Sequence, residues 1–212
     1  MIRSSLISLL AAALLSACGG TGTLYVVARF SSDGSTASSR ARVVVREAAS
    51  TGSIVEDAQV FINGAKLPKT GLPFAMNSND YRADGFGWDD NLRVEVTRGP
   101  DRSELTVQSP GFSVITAPAQ DGTVVKANGL LVTWRDANNV PANIARVRLE
   151  RAQLNVTLAD DKFQYRIGAE PLVVTDRETV SLERSNENAP TGSAPGSIIS
   201  AITTHVIQFK VE

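Results

Sequence analysis

An all-β chain arranged as two tandem β-sandwich domains is what the sequence predicts, and three observations predict it. Apolar residues recur at period two, not at helical spacing, along almost the whole chain. Proline and glycine interrupt that ladder at Ser109-Pro110-Gly111, and a fresh alternation starts at Phe112. The 212 residues are more than one small sandwich needs and suit two domains of about 100 residues each. With 42% hydrophobic and 20% charged residues, the chain has the apolar content that packed cores require.

The N-terminus is read differently. Arg3 supplies a positive charge ahead of an apolar run from Leu6 to Leu15, too short to span a bilayer as a helix and of the length of a signal-peptide core. The run leads through the small residues Ser16 and Ala17 directly into Cys18, the sole cysteine. Leu15-Ser16-Ala17-Cys18 resembles the lipobox of bacterial lipoproteins. That resemblance implies that residues 1–17 are a cleaved signal peptide and that Cys18 becomes the first residue, carrying diacylglycerol on its sulfur and an acyl chain such as palmitate on its new amino group. The competing reading is a plain secretory signal with a cysteine nearby; the position and uniqueness of Cys18 argue against it. Residues 18–23, Cys-Gly-Gly-Thr-Gly-Thr, form a lipidated N-terminus and flexible tether. In the lipoprotein family an Asp after the cysteine favours retention at the inner membrane. Gly19 therefore implies export to the outer membrane, placing a lipid-anchored protein in the bacterial cell envelope.

The first domain spans residues 24–109. Leu24, Val26, Ala28 and Phe30 share one face of a strand, and Val43-Val44-Val45 reads as a second, more buried one. Ala58, Val60 and Ile62 alternate up to Asn63-Gly64, a short-hairpin signal, with Ala65 to Leu67 as the returning strand. From Pro68 to Asn91 the pattern breaks into a loop-rich region that holds Gly71, Pro73, Gly85 and Gly87. Leu92, Val94 and Val96 then pair with Leu105 and Val107 across Arg98-Gly99-Pro100-Asp101, a hairpin with one solvated face.

The second domain spans residues 112–212. It opens with Ile115-Thr116-Ala117-Pro118, followed by Asp121-Gly122-Thr123-Val124 and Leu130-Leu131-Val132-Thr133-Trp134. These runs resemble the first two strands of fibronectin type III and related immunoglobulin-like modules. The resemblance implies that Pro118 ends the first strand and that Leu130, Val132 and Trp134 point into a two-sheet core. After a loop from Asp136 to Asn143, Ala145, Val147 and Leu149 alternate, and the phase slips before Ala152, Leu154, Val156 and Leu158, which predicts a turn or bulge. Phe163, Tyr165 and Ile167 continue the pattern, as do Leu172-Val173-Val174 and Val180-Ser181-Leu182. Ser185 to Ser197 reads as an exposed polar loop, and Ile198 to Val211 as a closing strand or strand pair with a change of phase near Val206-Ile207.

For chemistry the exclusions are the more informative. The single histidine, His205, lies in an alternating strand, where a packing or solvent-facing role is expected. No HExxH, P-loop or GxSxG spacing occurs, a lipidated Cys18 leaves no thiol nucleophile or disulfide, and zinc would lack its nitrogen and sulfur ligands. No cofactor and no resident metal are expected. The formal net charge is −1, and loss of Arg3 with the signal makes it more negative, so nucleic acid is not an expected partner.

One constellation stands out. Asp80, Asp84, Asp89, Asp90 and Asn91 gather in a glycine-bearing stretch beside Tyr81, Phe86 and Trp88. Calcium favours several oxygen ligands from such loops, although the EF-hand spacing is missing. Exposed aromatics favour a protein or glycan contact. Asp and Asn are also ordinary turn formers, and the aromatic rings can simply pin the loop to the sandwich. Asp84, Trp88, Asp89 and Asp90 are thus candidates for a partner or calcium contact, and no residue is assigned as catalytic. The function expected is a non-enzymatic envelope lipoprotein that acts as a binding or assembly scaffold, held to the membrane by its N-terminal lipid and meeting an envelope protein or glycan. The alternative is a membrane-anchored hydrolase that uses carboxylates of the Asp80–Asn91 loop.

Overall fold

The structure, a computed structural model, describes residues 24–70, 80–136, 141–190 and 192–212. The signal segment 1–17, Cys18 and the tether 18–23 lie outside the described residues, as do Gly71 and Pro73.

Nearly all the regular structure of the described chain is strand, the exceptions being single 3-10 turns at Thr36–Ser38 and Lys126–Asn128. In the first half the strands are β1 (Leu24–Ser32), β2 (Arg40–Glu47), β3 (Gln59–Ile62), β4 (Ala65–Lys66), β5 (Lys69–Thr70), β6 (Asp80–Asp84), β7 (Asn91–Arg98) and β8 (Asp101–Gln108). The second half holds β9 (Ser113–Ala117), β10 (Thr123–Val124), β11 (Leu130–Asp136), β12 (Ile144–Leu149), β13 (Leu154–Leu158) and β14 (Gln164–Ile167). Two long strands of 14 residues each, β15 (Thr175–Asn188) and β16 (Ile198–Val211), complete it.

The expected hairpins form. Asn63 and Gly64 both take positive φ, 47° and 84°, which turns β3 tightly into β4. Pro118 follows the last residue of β9, and Leu130, Val132 and Trp134 of β11 are buried as anticipated. The phase slip after Leu149 is a turn in which Gln153 has φ 49°. Glu178, wholly buried on β15, holds that turn by accepting bonds from the amides of Arg151 and Ala152 at 2.8 and 3.0 Å.

Two hydrophobic cores result. The first gathers the inward residues of β1, β2, β3, β7 and β8, and the second those of β9, β11, β12, β15 and β16. Each has a sandwich of two layers, but one layer is common to both. A nine-stranded sheet runs β13-β12-β15-β16-β1-β2-β6-β5, with β10 pairing the end of β16. The four-stranded sheet β4-β3-β7-β8 covers one part of it and the three-stranded sheet β14-β11-β9 covers another. β16 makes this possible. Its odd positions give Ile199 and Ala201 to the first core, and Ile207, Phe209 and Val211 to the second. Side chains two apart lie on one face of a strand, so one uninterrupted strand serves both cores.

Five readings of the strands from sequence are corrected. The Val43–Val45 run is not uniformly buried, because Val44 lies on the outer face and only Val43 and Val45 enter the core. The stretch read as loop from Pro68 contains β6, which pairs with β2 through Arg40↔Asp84 to Val43↔Tyr81. Leu172-Val173-Val174 is not a strand, and Val174 is 64% exposed. β15 continues through Asn188, and β16 shows no change of phase, because Thr203 and His205 occupy inward positions between the two apolar groups. The polar end of β15 escaped the periodic pattern because the residues that tie it to β8 are asparagines, Asn186 buried and Asn188 exposed. Asn186 and Asn188 each donate to a backbone carbonyl of β8, at Gln108 and Thr106, both at 2.8 Å.

Candidate functional site

The residues singled out between 80 and 91 do not converge; they divide among three places. Asp80 is buried on β6, with Oδ2 receiving Arg42 Nε at 2.5 Å and an Arg82 guanidinium nitrogen at 2.9 Å. Burial alone would raise its pKa, but the hydrogen bonds and charges of Arg82 and Arg42 outweigh it and hold the carboxyl below its ordinary range. Asp84, exposed at the end of β6, lies opposite Arg40. Tyr81 points into the first core and donates to the carbonyl of Ala58 at 2.7 Å; burial, helped by Asp57, pushes the phenol up.

The remaining residues form a collar around the link between the two cores. Phe30, Phe86, Trp88 and Phe112 make a chain of ring contacts, with centroids 5.4, 6.0 and 5.7 Å apart in sequence. Trp88 Nε1 donates to the Pro110 carbonyl at 3.3 Å. Ser109 donates its hydroxyl to the carbonyl of Asp89 and its amide to that of Asp90, at 2.5 and 2.8 Å. Asp89 and Asp90 therefore hold the link through their backbone. The Asp89 side chain accepts from Asn63 Nδ2 at 2.6 Å and lines a groove of about 250 Å³ whose wall includes Phe86 and Lys66. Asp90 is exposed.

Sequence reasoning missed a buried ionic cluster on the other side of the same link. Arg184 of β15 is fully buried, and so are the side chains of Asp136 and Asp161. Its guanidinium reaches Asp136 Oδ2 at 2.7 Å, Asp161 Oδ2 at 2.6 Å and Ser113 Oγ at 2.5 Å, and lies 5.2 Å from the centroid of the Phe163 ring. Asp161 also receives Trp134 Nε1 at 2.9 Å and the Ala142 amide at 3.0 Å. The Gly111 carbonyl accepts from Arg184 Nη1 at 3.3 Å, and the missing side chain makes room for the cluster: a Cβ there would lie 3.0 Å from Asp136 Cγ. The available signal was the inward parity of Val180, Leu182 and Arg184 on a single strand, which places an arginine where a hydrophobic residue is expected.

His205 is partly buried beside β9. Its Nδ1 accepts the Ile115 amide at 3.3 Å, and burial lowers its pKa from the ordinary 6.5. Among the described residues no three His, Cys, Asp or Glu side chains are grouped so as to hold a metal ion, and no helix is long and apolar enough to cross a membrane.

No family model and no curated protein sequence matches the chain. Among solved structures it is similar to the fibronectin(III)-like modules of Clostridium thermocellum CbhA, at 12% identity over 88% of this chain and 94% of that one, with a TM-score of 0.29. It is also similar to the tandem Ig repeats of Dlar, at 14% identity over 90% of this chain and all of that one, with a TM-score of 0.27. At such low overlap the fold assignment rests on the sheets and cores themselves.

Proposed function

We propose that this chain is a non-enzymatic lipoprotein of the bacterial cell envelope, acylated on Cys18 after loss of residues 1–17 and carried to the outer membrane, where its paired sandwiches act as a binding or assembly scaffold for an envelope protein or glycan. The observation that carries the scaffold reading is the dispersal of the carboxylates. Acid–base chemistry by carboxylates needs two of them facing one cleft with separated pKa values. Here Asp80 is tied to two arginines, Asp84 lines a depression on the outer sheet face, and Asp89 lines a different groove. The partner contact is assigned to that second groove, whose aromatic wall at Phe86 and polar rim at Asn63, Lys66 and Asp89 combine an apolar surface with hydrogen-bonding groups.

Incorporation of labelled palmitate tests the anchor, and Cys18→Ser should abolish it. A photo-crosslinker at Asp89 in the lipidated protein should trap an envelope component that one at Arg166, on the far sandwich, does not. Hydrolysis of peptidoglycan, peptide or ester by the purified protein, lost in a folded Asp89→Ala or Asp90→Ala variant, would replace the scaffold by a hydrolase.

A further inference from the structure

The outer face of the nine-stranded sheet carries a row of arginines. Arg29 of β1 stands opposite Arg42 of β2, which stands opposite Arg82 of β6, and Arg40 is two residues from Arg42 on the same face. Neighbouring strands lie about 4.8 Å apart, so three guanidinium groups leave the sheet within a span of about 10 Å. Like charges placed directly opposite one another destabilise a sheet. Asp80 relieves Arg42 and Arg82, whose side chains are still 57% and 50% exposed. Among the described residues Arg29 and Arg40 make no ion pair, and Asp84, opposite Arg40 in register, makes none with it. Together with Ser31, these groups line an open depression of about 370 Å³. Four arginines against Asp80 and Asp84 leave this face cationic on a chain whose formal charge is −1.

We infer that this face is a membrane-contact surface, on which Arg29, Arg40, Arg42 and Arg82 engage the phosphates of anionic lipid headgroups and lay the first sandwich flat on the bilayer. The inference rests on the anchored reading given above. Guanidinium groups bind phosphate oxygens bidentately, and arginine is more weakly hydrated than lysine, which suits it to a headgroup layer. The tether selects the occupant. Residues 18–23 span at most about 20 Å when fully extended, and β1 starts at Leu24, five residues before Arg29. A sheet lying face down keeps Leu24 within that reach. The lipid fixes the chain to the membrane, and the arginines then determine which face turns towards it. At physiological salt the attraction acts over about 8 Å, so only a surface held this close feels it.

The test uses residues 19–212, which carry every strand of both cores and no acyl chain, with vesicles of phosphatidylcholine alone or of phosphatidylcholine with phosphatidylglycerol. Cosedimentation with the anionic vesicles only, weakening as salt is raised, is expected. Each basic residue near such a surface contributes about 1 kcal/mol, so Arg29→Gln with Arg40→Gln should lower the partition coefficient about tenfold or more. Arg102→Gln with Arg166→Gln, on the two short sheets, should leave it unchanged. Because no ion pair is lost with Arg29 and Arg40 among the described residues and Arg29 stands opposite the like charge of Arg42, their variant should have a denaturation midpoint no lower than wild type. Equal binding to neutral and anionic vesicles, or no loss in the Arg29/Arg40 variant, overturns the inference. Capture of soluble polyphosphate without vesicle binding overturns it too, in favour of a soluble polyanion. Failure of the anchor is read separately: the palmitate label on Cys18 does not depend on the arginines, and vesicle binding by the acyl-free chain does not depend on Cys18.

Discussion

The two cores meet at the same three-residue link and close against it by opposite means. On the side of the first core the seal is aromatic, a run of rings from Phe30 through Phe86 and Trp88 to Phe112. On the side of the second it is ionic, with Arg184 between Asp136 and Asp161. Ring contacts are graded, since a lost or shifted ring forfeits part of the contact and the neighbours relax. A buried ion is not graded, because removing one partner leaves the others charged and desolvated. The contrast teaches that the tolerance of this junction to change is lopsided, the more so because Phe86, Trp88 and Phe112 are only partly buried while Arg184, Asp136 and Asp161 are fully buried.

The sharpest way to break the comparison is to cut the link. Residues 24–109 expressed alone lose β16, whose Ile199 and Ala201 complete the first core and whose backbone pairs with β1. That fragment should show no cooperative melting and should aggregate through the exposed edge of β1, whereas the intact chain should unfold in a single calorimetric transition. A fragment that melts cooperatively by itself would show that the shared strand is dispensable.

Next in size, Arg184→Met should cost about 3–5 kcal/mol, read as a lower midpoint in urea, because it strands two buried carboxylates. Phe86→Leu on the aromatic side should cost under about 1.5 kcal/mol. If the two losses were equal, the distinction between an ionic and an aromatic seal would have no energetic content.

The smallest effect is a pH dependence confined to the second core. His205 has a folded pKa below its ordinary 6.5, so the unfolded chain binds the proton first as pH falls. Its contribution is complete above pH 6.5 and is lost progressively as the pH drops towards the folded value. Thermal melts of wild type should therefore fall faster than those of His205→Gln across that window, by well under 1 kcal/mol, since the ring is only partly buried. Parallel curves would remove His205 from the account.

Much of the fold was legible because strands advertise themselves through alternation. Leu24 to Phe30, Leu92 to Val96 and Leu130 to Trp134 each place apolar groups at every second position, and each is buried as that spacing requires. β6 and the end of β15 were illegible for the converse reason. The residues that tie them in place are Asp80, Arg184, Asn186 and Asn188, polar groups that resemble loop composition until their partners are known. The candidate site suffered likewise. Asp80, Asp84, Asp89 and Asp90 are close in sequence, but β6 ends at Asp84 and the chain then turns round the link, which separates them. Net charge hid the arginine row, because a sum over the chain does not record which strands lie side by side.

By itself the sequence determined the all-β class, the positions of most strands, the two hydrophobic cores and the place where the chain passes from one to the other. These are local properties: side-chain alternation, turn residues and a proline–glycine break act within a few residues of where they are written. Only the tertiary structure decided that both cores share one sheet, that Arg184 has two carboxylates waiting for it, and that Arg29, Arg42 and Arg82 stand in line. Each of those depends on pairing between strands far apart in the chain, with β1 set parallel to β16 and antiparallel to β2. Such pairing is selected by the packing of the whole chain, because no single strand carries the register of its partner.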